Sequence, residues 1–163
     1  MRRPHPKNQQ GISLIEVVIV TFVATTLLFS ISQVVTLAAR ASTEKKTSLR
    51  AAYYLEEGME ALRAMRNESW TSRIGGLTAS TTYYFVPTAN SWTISASDPG
   101  KLDSIFTRTV IAQNVYRDGN DDISSPGTLD VDTKKFTVAV SWQSQCGAHT
   151  LTLDTYLANL FRN

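Results

Sequence analysis

The sequence predicts an α+β protein, in which one long N-terminal α-helix packs on a C-terminal antiparallel β-sheet of about four to five strands. Three observations predict this fold. Residues 12–39 are mostly apolar, carry a single charge and lack glycine and proline, residues 40–70 continue with helix-forming residues, and residues 71–163 change to alternating Thr, Ser, Tyr and Val. Uninterrupted helix formers indicate a helix, whereas alternation of polar and apolar residues is typical of half-buried strands.

Residues 1–11 form a short polar segment at the start of the chain. They include two prolines and three basic residues, Arg2, Arg3 and Lys7. This composition is typical of a targeting leader rather than of a folded element. We therefore predict that residues 1–11 are a basic leader that lies outside the fold.

Residues 12–39 are long enough to cross a bilayer, since about 20 apolar residues in a helix suffice. Their only formal charge is Glu16. A carboxylate at mid-membrane costs about 2.5–3.5 kcal/mol on insertion scales, so it usually has a partner. Two alternatives stay open: a secretory signal cleaved near residues 39–41, and an uncleaved anchor. Basic residues flank the segment on both sides and do not decide its orientation.

Residues 40–70 are predicted to continue the helix as an amphipathic segment that enters the globular domain and ends near residues 67–70. Gly58 lies inside this segment, where glycine costs about 1 kcal/mol relative to alanine. It is either a tolerated surface residue or a point of close contact with a strand or a neighbouring subunit. Apolar residues recur here at three- and four-residue steps, namely Leu49, Ala52, Tyr53, Met59, Leu62 and Met65.

Residues 71–163 are predicted to form the head domain, an antiparallel sheet that packs on the amphipathic half of the helix. Gly75-Gly76 mark the break after the helix. The alternating segments predict strands at residues 82–86, 92–95, 105–116, 136–142 and 151–157. The last two are predicted to form a hairpin across residues 143–148.

The sequence does not predict an enzyme. His5 and His149 are the only histidines and Cys146 is the only cysteine. Cys146 and His149 lie three residues apart in a predicted turn, without a motif that would make them a nucleophile and its base. Phosphate-binding, zinc and nucleophile-elbow motifs are missing from the sequence. Cys146 is predicted to be either a small buried residue or an intersubunit disulfide partner.

An acidic loop is the one candidate metal site. Asp118, Asn120 and Asp122 place oxygen-bearing side chains at alternate positions, as in the first half of an EF-hand calcium loop. Ile123 and Leu129 depart from that pattern, and Asp130, with Asp132, would supply ligands from the other side of the loop. A structural calcium ion is the only cofactor that the sequence suggests. The alternative is a solvated turn, because Asp and Asn favour turns.

Nucleic acid is not an expected partner. The net charge is only +2, which does not indicate a polyanion ligand. Arg63, Arg66 and Arg73 lie near Trp70, and basic residues beside an aromatic can contact single strands. Solvated charges beside a tryptophan that covers the core are the preferred interpretation.

Gly11, Ile12 and Glu16 carry a resemblance to type IV pilin-like proteins. A short basic leader ends in glycine, an apolar residue follows, and a glutamate stands at the fifth position of the apolar segment. The stretch from Ala52 to Arg66, with Trp70, is similar to the helix of minor pilins and type II secretion pseudopilins. The chain departs from the family at Ile12, where phenylalanine is commonest, and in having no proline midway through the apolar segment.

The resemblance implies cleavage and assembly. A prepilin peptidase would cut after Gly11, Ile12 would become the new and N-methylated terminus, and Glu16 would pair with the terminal amine of a neighbouring subunit. The implied partners are other pilin subunits, the prepilin peptidase, an inner-membrane assembly platform and, before assembly, membrane lipid. The implied location is the inner membrane, with a cytoplasmic N-terminus, followed by a surface pilus or periplasmic pseudopilus. The alternatives are a tethered or tip-located module that binds calcium, a surface or DNA, and an uncleaved membrane anchor.

Overall fold

The computed structural model describes residues 13–145 and 147–161. The predicted processing site, Gly11 and Ile12, lies outside the described residues, as does Cys146. The chain divides into two compact units between Lys45 and Lys46. The second unit is called the head below.

One helix, α1, runs over Leu14–Glu68. Its buried residues all belong to the head and recur at three- and four-residue steps, as the amphipathic pattern predicts. These buried residues are Ala51, Leu55, Gly58, Met59, Ala61, Leu62 and Met65. A single π-helical turn, Thr71–Gly75, follows α1 and buries Ile74. Trp70, at the start of this turn, is also buried.

Five strands follow: β1 (Thr82–Pro87), β2 (Trp92–Ser95), β3 (Thr107–Arg117), β4 (Thr128–Ser144) and β5 (Gly147–Ala158). They form one antiparallel sheet in the order β2-β1-β3-β4-β5. The α+β prediction, with a long N-terminal helix and an antiparallel sheet, is confirmed.

The last hairpin differs from its prediction. β4 and β5 stay paired as far as Ser144 opposite Gly147, so the connection is the two residues 145–146 rather than the predicted segment 143–148. β4 also begins at Thr128, eight residues before the predicted start at residue 136. Asp130 therefore lies in a strand, opposite Val115 of β3, and not in a loop.

One face of the sheet packs on the head part of α1. Because side chains alternate along a strand, every second residue of β4 faces the helix, and Phe136, Val138, Val140 and Trp142 are buried. Each large apolar side chain buried in this way contributes about 1.5–3 kcal/mol relative to an exposed one. The opposite face is polar and rich in threonine. A sheet covered on one side only is typical of antiparallel architecture.

Candidate assembly surface

The described part of the first unit, residues 13–45, presents an exposed apolar helical surface. Its 18-residue window of highest hydropathy has a mean of 2.4, and none of that window is buried. The large apolar side chains from Leu14 to Leu37 are 48–83% exposed. A core helix of a soluble domain would be buried against its own chain. This helix is long and apolar enough to span a membrane.

The hydroxyl groups of this segment are satisfied within the helix. The Thr21 hydroxyl donates to the Val17 carbonyl oxygen at 2.9 Å, and the Ser30 hydroxyl donates to that of Thr26 at 2.9 Å. The same pattern recurs at Thr25, Thr26, Ser32 and Thr36. These bonds leave no free hydroxyl donor at those positions, as a helix surrounded by lipid or by other apolar helices requires.

Glu16 lies in the first turn of α1 and is exposed. Its backbone N–H donates to the Ser13 carbonyl oxygen at 3.0 Å, as does that of Val17 at 3.3 Å. Within residues 13–145 and 147–161, Glu16 forms no ion pair. A carboxylate in the first turn is also favoured by the partial positive charge of a helix N-terminus. Ser13 and Glu16 have the spacing of a capping box, a signal that the sequence reasoning missed.

The acidic loop is organised by its own backbone. The Asp118 carboxylate accepts hydrogen bonds from the backbone N–H groups of Asn120 and Asp122, at 2.8 and 3.1 Å. This is the Asx-turn geometry expected of a solvated turn. Asp121 adopts a left-handed conformation with φ of 68°, which an aspartate tolerates well.

Asp130 is bound by an arginine that the sequence reasoning did not single out. Arg117 Nε donates to Asp130 Oδ2 at 2.6 Å, while the backbone N–H of Asp132 donates to Asp130 Oδ1 at 2.9 Å. The Arg117 hydrogen bond holds the pKa of the Asp130 carboxyl below its usual value, against the opposing effect of burial. Arg117 thus supplies a positive charge where a bound calcium ion would.

A metal cluster is not assembled in the part of the chain that the structure describes. Within residues 13–145 and 147–161, no three His, Cys, Asp or Glu side chains form a group that could hold a metal ion. Asp118 and Asp130 each have protein partners, and Asp118, Asp121 and Asp122 are exposed. The calcium prediction stays a prediction.

Arg108 is the main feature of the head that sequence reasoning missed. Its side chain is 3% exposed, and Nη1 donates to Glu57 Oε2 at 2.6 Å and to the Tyr54 carbonyl oxygen at 3.0 Å. The guanidinium lies 5.1 Å from the ring centroid of Phe85 and 5.2 Å from that of Trp92. Such cation–π contacts compensate part of the cost of burying the charge. Arg108 shares the buried face of β3 with Val110 and Ala112.

The remaining predicted sites are distributed over the head. Trp70 is 3% exposed, so it cannot stack on bases beside Arg63 and Arg66 in this conformation. Arg73 forms an ion pair with Glu68 at 2.6 Å. His149 stacks on Trp142 with ring centroids 5.2 Å apart. These side chains act in packing and local charge pairing.

Comparison with known proteins finds no match. No protein-family model matches the chain, and neither a curated protein nor a solved structure matches it. The long apolar N-terminal helix and the antiparallel sheet are compatible with a pilin-like fold.

Proposed function

We propose that this chain is a structural subunit of a type IV pilus or pseudopilus, assembled through its apolar N-terminal helix. The observation that carries the proposal is the exposed apolar surface from Leu14 to Leu37, with one carboxylate, Glu16, in its first turn. Such a surface needs either lipid or copies of similar helices around it. A filament core made of these helices would replace lipid as the apolar surroundings.

Glu16 supplies the recognition step in this proposal. Cleavage after Gly11 would create a free amine at Ile12, and the Glu16 carboxylate of one subunit would pair with that amine on its neighbour. An unpaired charge in an apolar environment is strongly unfavourable, whereas a compensated pair is tolerated. Because only one acidic residue is available along residues 12–39, the pair would select one axial stagger between adjacent helices.

The partners and location follow from the same proposal. A prepilin peptidase would remove the leader, and an inner-membrane assembly platform would extract the subunit from lipid into the growing filament. The chain would start as a single-pass inner-membrane protein with a cytoplasmic N-terminus. It would end in a surface pilus or a periplasmic pseudopilus, as a minor pilin or a pseudopilin.

The first-turn position of Glu16 also favours a second candidate, an uncleaved single-pass anchor that tethers the head as a binding module. A carboxylate at a helix N-terminus is stabilised by the helix dipole without any partner subunit. In that case the Glu16 carboxylate would lie at the membrane surface and would not be needed for association.

Co-assembly of Glu16 variants in the native host tests the first proposal against the second. Glu16→Ala and Glu16→Gln should still fractionate with membranes, because removing a charge from an apolar segment favours insertion. Both should be absent from sheared filaments that contain the wild-type chain. Glu60→Gln, which removes an exposed carboxylate of the head part of α1, is the matched control and should assemble normally. Normal incorporation of the Glu16 variants would contradict the filament proposal.

A further inference from the structure

The two edges of the sheet differ in length and in protection. The edge strand β2 has only four residues, Trp92–Ser95, whereas the edge strand β5 has twelve, Gly147–Ala158. Proteins usually protect long edges with lysine, proline, bulges or a covering element. β5 contains no lysine, arginine or proline, and its register with β4 is unbroken over its whole length.

The backbone groups that β5 leaves free can be assigned. Just beyond the strand, the backbone N–H of Asn159 donates to the Asp132 carbonyl oxygen at 2.8 Å. Hydrogen-bonded and non-hydrogen-bonded pairs alternate along an antiparallel ladder. The odd-numbered residues of β5 therefore bond to β4. The N–H and C=O groups of the even-numbered residues, from Ala148 to Ala158, point away from the sheet.

The side chains along this edge suit another strand. Asp154 is the only residue of β5 with a formal charge at neutral pH, apart from the titratable His149. Lys135 Nζ lies 2.7 Å from its Oδ2, and the Thr137 hydroxyl donates to its Oδ1 at 2.6 Å. On the helix-facing side, Leu151 is half-buried and Leu153 is 44% exposed. The edge is therefore nearly neutral, with apolar surface left uncovered on one side.

We propose that the free edge of β5 pairs with β5 of a second copy of the chain, so that two heads form one continuous ten-stranded antiparallel sheet. The pairing is antiparallel about a two-fold axis perpendicular to the sheet and centred on Thr152. It is an isologous contact, in which the same strand is used on both copies. It is therefore separate from the head-to-tail contacts of a helical filament and does not rest on the proposed function.

The register follows from charge and apolar matching. Centred on Thr152, the axis places Thr150 opposite Asp154 of the second copy, and Leu151 opposite Leu153 of the second copy. Both pairs occur twice, so all four partly exposed leucines are covered. Centring the axis on Asp154 would place two carboxylates directly opposite each other, which is unfavourable. Direct cross-strand neighbours of this kind set the preferred register of a sheet.

The test uses the full chain in lipid nanodiscs that carry one copy each. The two-fold axis makes the head parts of the two helices antiparallel, so each copy is placed in a disc of its own. Analytical ultracentrifugation measures the pairing of discs up to about 100 µM, since interfaces below ~1,200 Å² are typically weak. A reducing agent is present throughout, so that Cys146 cannot link two copies covalently. Amide hydrogen exchange by NMR identifies the strand involved.

We expect concentration-dependent pairing of discs, with slower exchange of the outward amides of Thr150, Thr152 and Asp154. Thr152→Pro removes an outward N–H without touching the β4 ladder, and Thr152→Lys places two lysines opposite each other. Either change should weaken pairing about tenfold or more. Thr109→Lys is the matched control, because Thr109 lies in the same row of the same face but on the central strand β3. It should pair like the wild type.

Three results would overturn the proposal: discs that stay single over the whole concentration range, pairing that survives Thr152→Pro, or protection that maps to β2. A synthetic peptide of residues 147–158 tests whether the β5 edge accepts a strand from a different chain. If copies do not pair but this peptide protects the outward amides of β5, the edge accepts a strand from another chain and not from a second copy. Near-ultraviolet circular dichroism confirms that each variant head is folded.

Discussion

Gly58 lies directly against the aliphatic part of Arg108. A Cβ atom built on Gly58 would lie 3.2 Å from Cδ of Arg108 and 3.1 Å from Cγ1 of Val138. The glycine is buried in α1, and the arginine occupies the space that a larger residue would need. Of the two interpretations that the sequence left open for Gly58, the structure supports close contact with a strand.

Gly58→Ala should therefore destabilise the head despite its better helix propensity. Replacing glycine by alanine in a helix interior stabilises the helix by about 1 kcal/mol, but overpacking a filled core costs about 1–3 kcal/mol. Val138 is fully buried and the Arg108 guanidinium packs against the rings of Phe85 and Trp92, so neither can move away easily. We expect a net loss of about 1 kcal/mol, by the difference of these two terms.

Denaturant unfolding of the full chain in detergent micelles measures this effect. Tryptophan fluorescence reports on the head alone, because all three tryptophans, Trp70, Trp92 and Trp142, belong to it. Gly76→Ala is the control, since φ is −77° and a Cβ there meets nothing within 4 Å. The Gly76→Ala change should shift the denaturant midpoint of unfolding only slightly. A Gly58→Ala chain more stable than the wild type would show that the contact is loose.

Glu57→Ala should destabilise the head more than removal of a neighbouring glutamate. It leaves the buried Arg108 guanidinium without its carboxylate, a change that costs about 3–5 kcal/mol for a fully buried pair. Glu57 itself is 47% exposed, so water replaces part of the interaction and we expect about 1–3 kcal/mol. Glu60→Ala, which breaks an exposed pair with Arg63, should cost less than about 1 kcal/mol.

A double variant gives the stronger check on the role of Arg108. Glu57→Gln combined with Arg108→Met removes both charges and keeps an apolar chain of similar length in the buried position. We expect it to recover most of the stability lost in Glu57→Ala, because apolar replacements of buried ion pairs are often neutral or stabilising. Equal losses in Glu57→Ala and Glu60→Ala would mean that Arg108 is solvated in the folded head.

The Arg117–Asp130 pair should make the stability of the head depend on pH. The Asp130 pKa is lowered in the folded state, mainly by the Arg117 hydrogen bond, while the unfolded value is about 3.9. Protons therefore bind the unfolded chain first. The contribution of the pair is complete above about pH 5 and is lost as pH falls through the lower, folded-state pKa.

Arg117→Met tests this dependence. The difference in unfolding free energy between wild type and variant should be constant near neutral pH and should shrink on acidification below about pH 4. Arg63→Met, in the exposed pair with Glu60, provides the comparison for a surface arginine. A wild-type advantage that does not change with acidification would exclude Asp130 as the titrating partner.

Calcium should have little effect on the wild-type acidic loop. Arg117 already neutralises Asp130, and Asp118 accepts two backbone hydrogen bonds within the loop. We expect calorimetry with calcium at about 1 mM, a concentration typical of weak extracellular sites, to show no binding heat. A saturable heat that Asp118→Ala and Asp122→Ala both remove would establish the calcium site that the sequence predicted.

Periodicity made the fold predictable. The apolar segment, the three- and four-residue steps of α1 and the alternation in the strands each depend on local sequence alone. The early start of β4 was not predictable in this way. Residues 128–130 pair with β3 beyond a register shift between Asn114 and Val115, so their strand conformation depends on a partner that is distant in the sequence.

The candidate sites were predictable to different degrees. Glu16 stands out because a single charge interrupts an apolar segment, and its position in the first turn of α1 follows directly from the sequence. The role of Arg117 does not follow from the local sequence, because its partner Asp130 lies thirteen residues away, across the turn between two strands. The burial of Arg108 was not predicted, and only the structure reveals that Gly58 leaves room for its aliphatic part and that Glu57 pairs with its charge.

The mature N-terminus is the most direct test of the central claim, that this chain is processed and assembles through its apolar helix. N-terminal sequencing and intact mass of the protein from sheared filaments should give Ile12 as the first residue, and Gly11→Ala should block that cleavage. A chain that begins at Met1 would contradict the claim and support an uncleaved anchor, and one that begins at Ser42 would indicate a secreted head.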